Sequence, residues 1–250
     1  MERDIIRELI NEYNKSAAKI ARDKLDNLEE IYSIFKGNYK DMIKSIETTK
    51  ITLLSNKISN KRKKCLFNDN KAQRCIFNFL SSTKALIDQS RIYIKKYYKD
   101  NSFYNEYFNE VERLFSDPLS KFVKEFRNYQ THIRVNSFGI GVTPISDDPR
   151  DFCMEFAIDP VSFYNEENQW SEEAMSFIYD SGRVMLPSEV FSPYYEKVKY
   201  LYNWLFRKWK VVHYDDIKEV RRILGKFNKI KELDPIRKDC LSRYSKSPFQ

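Results

Sequence analysis

Between Met1 and Asp117 the chain contains one glycine, Gly37, and no proline. These two residues disfavour helix interiors by about 1 and about 3 kcal/mol relative to alanine, so a span nearly free of them favours long helices. The apolar pattern agrees. Ile5, Leu9, Tyr13, Ala17 and Ile20, and later Leu28, Ile31 and Phe35, recur at three- and four-residue spacing, which predicts long helices in the first third, broken at Gly37. Met42, Ile43, Ile46, Leu53 and Leu54 carry the pattern on to Asn60-Lys61-Arg62-Lys63-Lys64, a polar stretch expected as an exposed loop of a helical hairpin.

From Lys71 to Lys99 the positions Ala72, Ile76, Phe79, Thr83, Leu86, Ser90, Tyr93 and Tyr97 follow the helical period, widened by Leu80, Ile87 and Ile94. This reads as a core helix with a basic outer face. A short helix over Tyr104 to Phe115 precedes Ser116-Asp117-Pro118, where Asp117 can cap free amides and Pro118 suits a first helical turn. The helix that follows presents Phe122, Phe126, Tyr129 and Ile133 within a narrow arc, and packs by that face. The period then changes to alternation. Phe138, Ile140 and Val142, then Phe152, Met154, Phe156 and Ile158, flank a turn at Ser146 to Arg150 and predict a β-hairpin. Three more helices are expected: Ser171 to about Tyr179; one after Ser192-Pro193 with Tyr195, Val198, Tyr202, Leu205 and Trp209; and one with Ile217, Val220, Leu224 and Phe227.

The fold class is therefore mainly α, a helical bundle with one small β-hairpin insertion. The expected organisation is long N-terminal helices over 1–60 packed on a bundle over 61–234, the hairpin near 137–158, and a polar tail over 235–250. At 250 residues, 42% of them hydrophobic, the chain can bury a substantial core. No run approaches the roughly 20 apolar residues that cross a bilayer, and the N-terminus enters an amphipathic pattern directly, so no membrane partner and a cytoplasmic location are expected. Cys65, Cys75, Cys153 and Cys240 form no CxxC pair and read as free thiols, mostly buried.

The formal charge of +8 is unevenly placed. Ile51 to Lys99 holds twelve Lys or Arg against two Asp, whereas Ile145 to Gly182 holds ten acids against Arg150 alone. A basic segment of this kind can neutralise phosphates of a nucleic acid. It can equally pair with the acidic segment or solvate exposed helix faces.

Two histidines exclude a histidine-rich metal centre, and the chain has no Walker loop, GxGxxG turn, HExxH or GxSxG elbow. No metal and no cofactor is expected. What remains is Arg127-Asn128-Tyr129-Gln130-Thr131-His132 at a helix end. Asn128 and His132 share a ridge, and Arg127 projects from the other polar flank. Histidine titrates near neutrality and can move a proton, while a guanidinium can hold charge growing on a phosphoryl oxygen. RNA supplies its own nucleophile, the 2′-hydroxyl, so such chemistry needs no metal.

This segment resembles the active motif of the HEPN superfamily of helical ribonucleases and RNA-associated proteins: an arginine, four to six residues, then a histidine, commonly with a polar residue just after the arginine. The wider context, EFRNYQTHIRV leading into a hairpin and helices, is similar to bacterial proteins carrying an RNY-x-x-H core, over roughly Lys121 to Phe227. The resemblance implies a compact bundle, frequently a homodimer with facing motifs, and a metal-independent endoribonuclease of the kind found in toxin and defence systems. It makes Arg127 and His132 the catalytic pair and Asn128 a residue orienting them, with products bearing a cyclic phosphate and a 5′-hydroxyl. Arg127 and His132 lie about 140° apart on an ideal helix, so convergence requires a second subunit or a bent helix end.

Two alternatives stand beside it. A non-catalytic RNA- or partner-binding protein of the same build would use the basic segment, with Lys61, Arg62, Lys63, Lys64, Arg91, Lys95, Lys96 and Lys99 as candidate RNA contacts. In a purely structural protein His132 would complement the helix C-terminus, Arg127 would pair with Asp147 or Asp148, and the N-terminal helices would form a partner interface. His213, at an expected helix junction, reads as structural.

Overall fold

A computed structural model describes residues 2–59, 62–132, 138–144, 152–164, 169–182 and 184–228. The protein is mainly helical with one two-stranded antiparallel hairpin, and no described helix is long and apolar enough to cross a membrane. It divides into two compact units, Met1–Glu29 with Trp204–Gln250, and Glu30–Asn203.

In the first unit α1 (Glu2–Lys15) packs on α9 (Tyr214–Asn228). Glu12 receives Arg222 at 2.5 Å and Lys226 at 3.7 Å, over an interior that includes Leu9, Tyr13, Leu25, Trp209 and Ile223. The break after α1 falls at Ser16. Its hydroxyl donates to the Tyr13 carbonyl at 2.7 Å and accepts from the Lys19 amide at 3.3 Å, which ends one helix and caps the next. His213 sits between α8 (Pro187–Val212) and α9, its Nδ1 2.9 Å from Asp216 and its ring on Trp209.

The break expected at Gly37 does not occur, because α2 (Ala17–Ser59) runs through it. One glycine costs a helix about 1 kcal/mol, while burying the side chains of Phe35 and Met42 on either side, both 0% exposed, gains about 1.5–3 kcal/mol each. Helix α3 (Arg62–Tyr97) begins within the basic stretch expected as a loop, so Arg62, Lys63 and Lys64 have helical backbone. Asn60 and Lys61 lie outside the described residues. Asn38 donates to the Asn78 carbonyl at 3.4 Å, and Phe35 and Tyr39 touch Phe79, so α2 and α3 pack against one another along these turns.

The periodicity of α3 is borne out from Ala72 to Tyr93, with Ala72, Ile76, Phe79, Thr83, Leu86, Ser90 and Tyr93 all buried. Its buried hydroxyls are satisfied within the helix: Thr83 bonds the Phe79 carbonyl at 2.8 Å and Ser90 that of Ile87 at 2.9 Å. Tyr97, expected inside, is 38% exposed. The helix ends there, and Tyr98 turns inward instead, its hydroxyl 3.0 Å from that of Tyr93.

Helix α8 also starts earlier than expected and holds Pro193 inside it. The Leu186 carbonyl accepts the amides of Glu189 and Val190 at 3.0 and 3.1 Å, with Pro187 in the first position, where its missing N–H costs nothing. Val190 and Phe191 are buried and hold these turns in place. Pro193 and Glu189 are both exposed, so solvent can serve the carbonyl that proline leaves without a donor.

The hairpin pairs β1 (Phe138–Pro144) with β2 (Phe152–Ile158) in the register Phe138↔Ile158, Ile140↔Phe156, Val142↔Met154, the alternation read from the sequence. Gly141 is required by close approach: a Cβ there would lie 2.8 Å from the Val184 side chain. The turn at Ser146 to Arg150 and the tail after Pro235 lie outside the described residues. A four-residue helix, α6 (Val161–Tyr164), follows β2 unanticipated, and α7 (Glu172–Asp180) is capped by Ser171, whose hydroxyl accepts the Ala174 amide.

Candidate functional site

The motif rides on α5 (Pro118–His132), whose start is fixed by its cap. Asp117 accepts the Ser120 amide at 3.3 Å and its hydroxyl at 2.6 Å, and Lys197 closes on the same carboxylate at 2.5 Å. The helix then turns Phe122, Phe126 and Tyr129 inward against Phe163 and Trp170, with ring centroids 5.0–6.2 Å apart across the cluster. With that face buried, Lys121, Lys124, Arg127 and Asn128 emerge together on the side toward α3 and α4 (Ser102–Phe115).

There they line a groove of about 620 Å³. The α3 wall contributes Lys84, Asp88 and Arg91, at successive turns of one face. The α4 wall contributes Phe108, Val111, Glu112 and Phe115, and Tyr194 joins from α8. Five cations against two carboxylates leave the groove positive, while its α4 side is largely apolar. Burial, the largest influence, pushes the Tyr194 hydroxyl well above its ordinary pKa, with Arg91 drawing it down and Asp117 pushing it up. It is a neutral phenol at physiological pH.

Arg127 is half-buried. Its Nη1 donates to Asn128 Oδ1 at 3.0 Å, so the neighbouring amide restrains the guanidinium, and its Nε is enclosed with no hydrogen-bond partner among the described residues. A planar guanidinium restrained in this way on the groove wall suits the grip of an oxyanion. The helix continues through His132, which is exposed and does not line the groove. Around the helix axis, however, His132 falls about 20° from Lys121 and about 40° from Asn128, one turn beyond the latter. It therefore continues the row that forms the α5 wall.

The structure thus brings Arg127, Asn128 and Arg91 to one groove, with His132 past its end. Lys95 and Lys96 are exposed and lie over the rings of Phe108 and Tyr97 at 5.8 and 5.2 Å, and Lys99 is exposed after α3; none of the three lines the groove. Lys61 lies outside the described residues, as do the side chains of Arg62, Lys63 and Lys64, and Ile133, Asp147 and Asp148. Among the described residues, the ion pairs of Lys84 and Arg91 are made within α3, to Asp88.

Lys84, Lys121, Lys124 and Tyr194 were not singled out in the sequence. The three- and four-residue spacing of Lys121, Lys124 and Asn128 opposite Phe122 and Phe126 was a usable signal for a basic face. Which helix that face would meet was not. Cys75 is a free, half-buried thiol, and no group of three or more His, Cys, Asp or Glu among the described residues could hold a metal ion. No protein-family model, no curated protein and no solved structure matches the chain.

Proposed function

We propose that this is a HEPN-like helical protein that holds RNA in the groove between α3, α4 and α5, with Arg127 at the centre of the phosphate contacts. One observation carries the reading: Arg127 and Asn128 share a positive groove with Arg91, Lys84, Lys121 and Lys124. A polyanion gains from each phosphate neutralised there through counterion release, and the apolar α4 side offers Phe108 and Phe115 to a base.

Cleavage is a second reading, favoured by the exposed His132 in line with the groove wall. His132 would take the proton of a 2′-hydroxyl, whose oxygen attacks the adjacent phosphorus. The bond to the 5′-oxygen would break, that oxygen leaving with a proton taken from solvent water, and Arg127 would hold the charge on the phosphoryl oxygens. A homodimer with facing motifs would set His132 of one copy against Arg127 of the other.

Labelled single-stranded RNA, followed by anisotropy and by gel in EDTA, tests both. Arg127→Ala is expected to weaken binding roughly 10- to 100-fold, the worth of charged hydrogen bonds. His132→Ala is expected to abolish cleavage and leave affinity within about twofold, as an exposed residue beyond the groove should. Unchanged binding in Arg127→Ala overturns the groove reading. Cleavage that survives both substitutions overturns the catalytic one.

A further inference from the structure

The α3 wall of the groove holds an anion of its own. Lys84 Nζ sits astride the Asp88 carboxylate, 2.9 Å from Oδ1 and 2.7 Å from Oδ2, and Arg91 Nη1 approaches Oδ1 at 3.9 Å. Lys84, Asp88 and Arg91 stand four and three residues apart, so one face of the helix presents cation, anion, cation in sequence. Their side chains are 43%, 39% and 44% exposed, and ion pairs this open contribute little to folding. The consequence of Asp88 is therefore to be sought in the groove, where it occupies two of the five cations.

A carboxylate between a lysine and an arginine has the charge and the paired oxygens of a phosphodiester. We propose that Asp88 is a specificity-determining residue that fills the phosphate seat of the α3 wall until a ligand displaces it. This rests on the reading of the groove as an RNA site. A single phosphate gains little by replacing an anion already seated. A chain anchored by Lys121, Lys124 and Arg127 on the facing wall brings its next phosphate to Lys84 and Arg91 at high effective concentration. Asp88 thus sets the groove against mononucleotides and inorganic phosphate and in favour of extended strands.

The test compares wild type, Asp88→Asn, Asp88→Glu and Glu47→Gln for binding of a labelled single-stranded oligoribonucleotide and of adenosine monophosphate, across a salt series. Glu47 is an exposed acid that does not line the groove, and controls for net charge. Asp88→Asn is expected to bind the oligonucleotide about three- to tenfold more tightly, as removal of one charge at this range predicts. Its salt dependence should steepen by about one phosphate's worth or more. Its preference for the oligonucleotide over the mononucleotide should narrow. Asp88→Glu, which keeps the charge, should strengthen binding less than Asp88→Asn does, and Glu47→Gln should stay within about twofold of wild type. Wild-type binding that Asp88→Asn fails to strengthen, or that Glu47→Gln strengthens equally, overturns the proposal and leaves the RNA reading standing. Folded wild type and Asp88→Asn that both ignore RNA overturn the two together.

Discussion

The carboxylate at the head of α5 shows how much of the groove is set by single side chains. Burial, the largest influence on Asp117, pushes its carboxyl up, but the bonds from Lys197 and Ser120 together outweigh it and hold the group below the ordinary carboxylate range. A depressed carboxylate stabilises the fold fully above its unfolded-state pKa of about 3.9, and that contribution is lost as pH falls through the folded-state value. Lys197→Met should therefore lower the urea midpoint at neutral pH, and the gap to wild type should close as pH drops below about 4. Both partners are partly open, so the gap stays below about 1 kcal/mol. A gap that is as wide in acid as at neutrality would mean that Lys197 acts through packing and not through Asp117. The same cap fixes the phase of Lys121, Lys124 and Arg127, since a helix that starts one residue late turns every later side chain by about 100°.

At the scale of elements, Gly37 offers a direct measure of what its helix tolerates. It is exposed, and a Cβ there would meet nothing within 4 Å. Gly37→Ala should raise stability by about 0.5–1 kcal/mol, seen as a higher melting temperature, because alanine lowers the entropy of the unfolded chain without a clash. A lower melting temperature would show that the helix needs a weak point at that residue. Gly37 and Pro193 also explain where the sequence misled. Both are read as punctuation, yet each lies beside fully buried residues, Phe35 and Met42 for one and Phe191 for the other, whose burial exceeds the local penalty. The break at Ser16 is hidden for the opposite reason, since the apolar pattern continues on both sides of it. Helices with strong periodicity, α3 and α5 above all, were legible in their buried faces, and so was the presence of the hairpin, though not its register. For the site, α5 announced its polar face through RNYQTH, but α4 carried no chemical signal. Phe108 and Phe115 become groove residues only through the packing of α4 beside α3, which local spacing does not encode.

At the scale of the whole molecule, the groove belongs to the unit spanning Glu30–Asn203 and takes its walls from helices that a denatured chain holds far apart. A ligand that fits it has nothing equivalent to bind once the chain unfolds. Binding to the folded state alone stabilises by RT ln(1 + [L]/Kd), about 2.7 kcal/mol at a hundredfold excess over Kd, which raises the melting temperature of a domain of this size by several degrees. Homopolymeric RNAs of increasing length should therefore raise the melting point progressively, then level off once a strand spans the groove. A rise that is independent of length, or absent, would remove the groove from the account. The strand length at which the rise levels off serves as a gauge of the natural ligand, one that can be read without knowing its sequence and without any turnover.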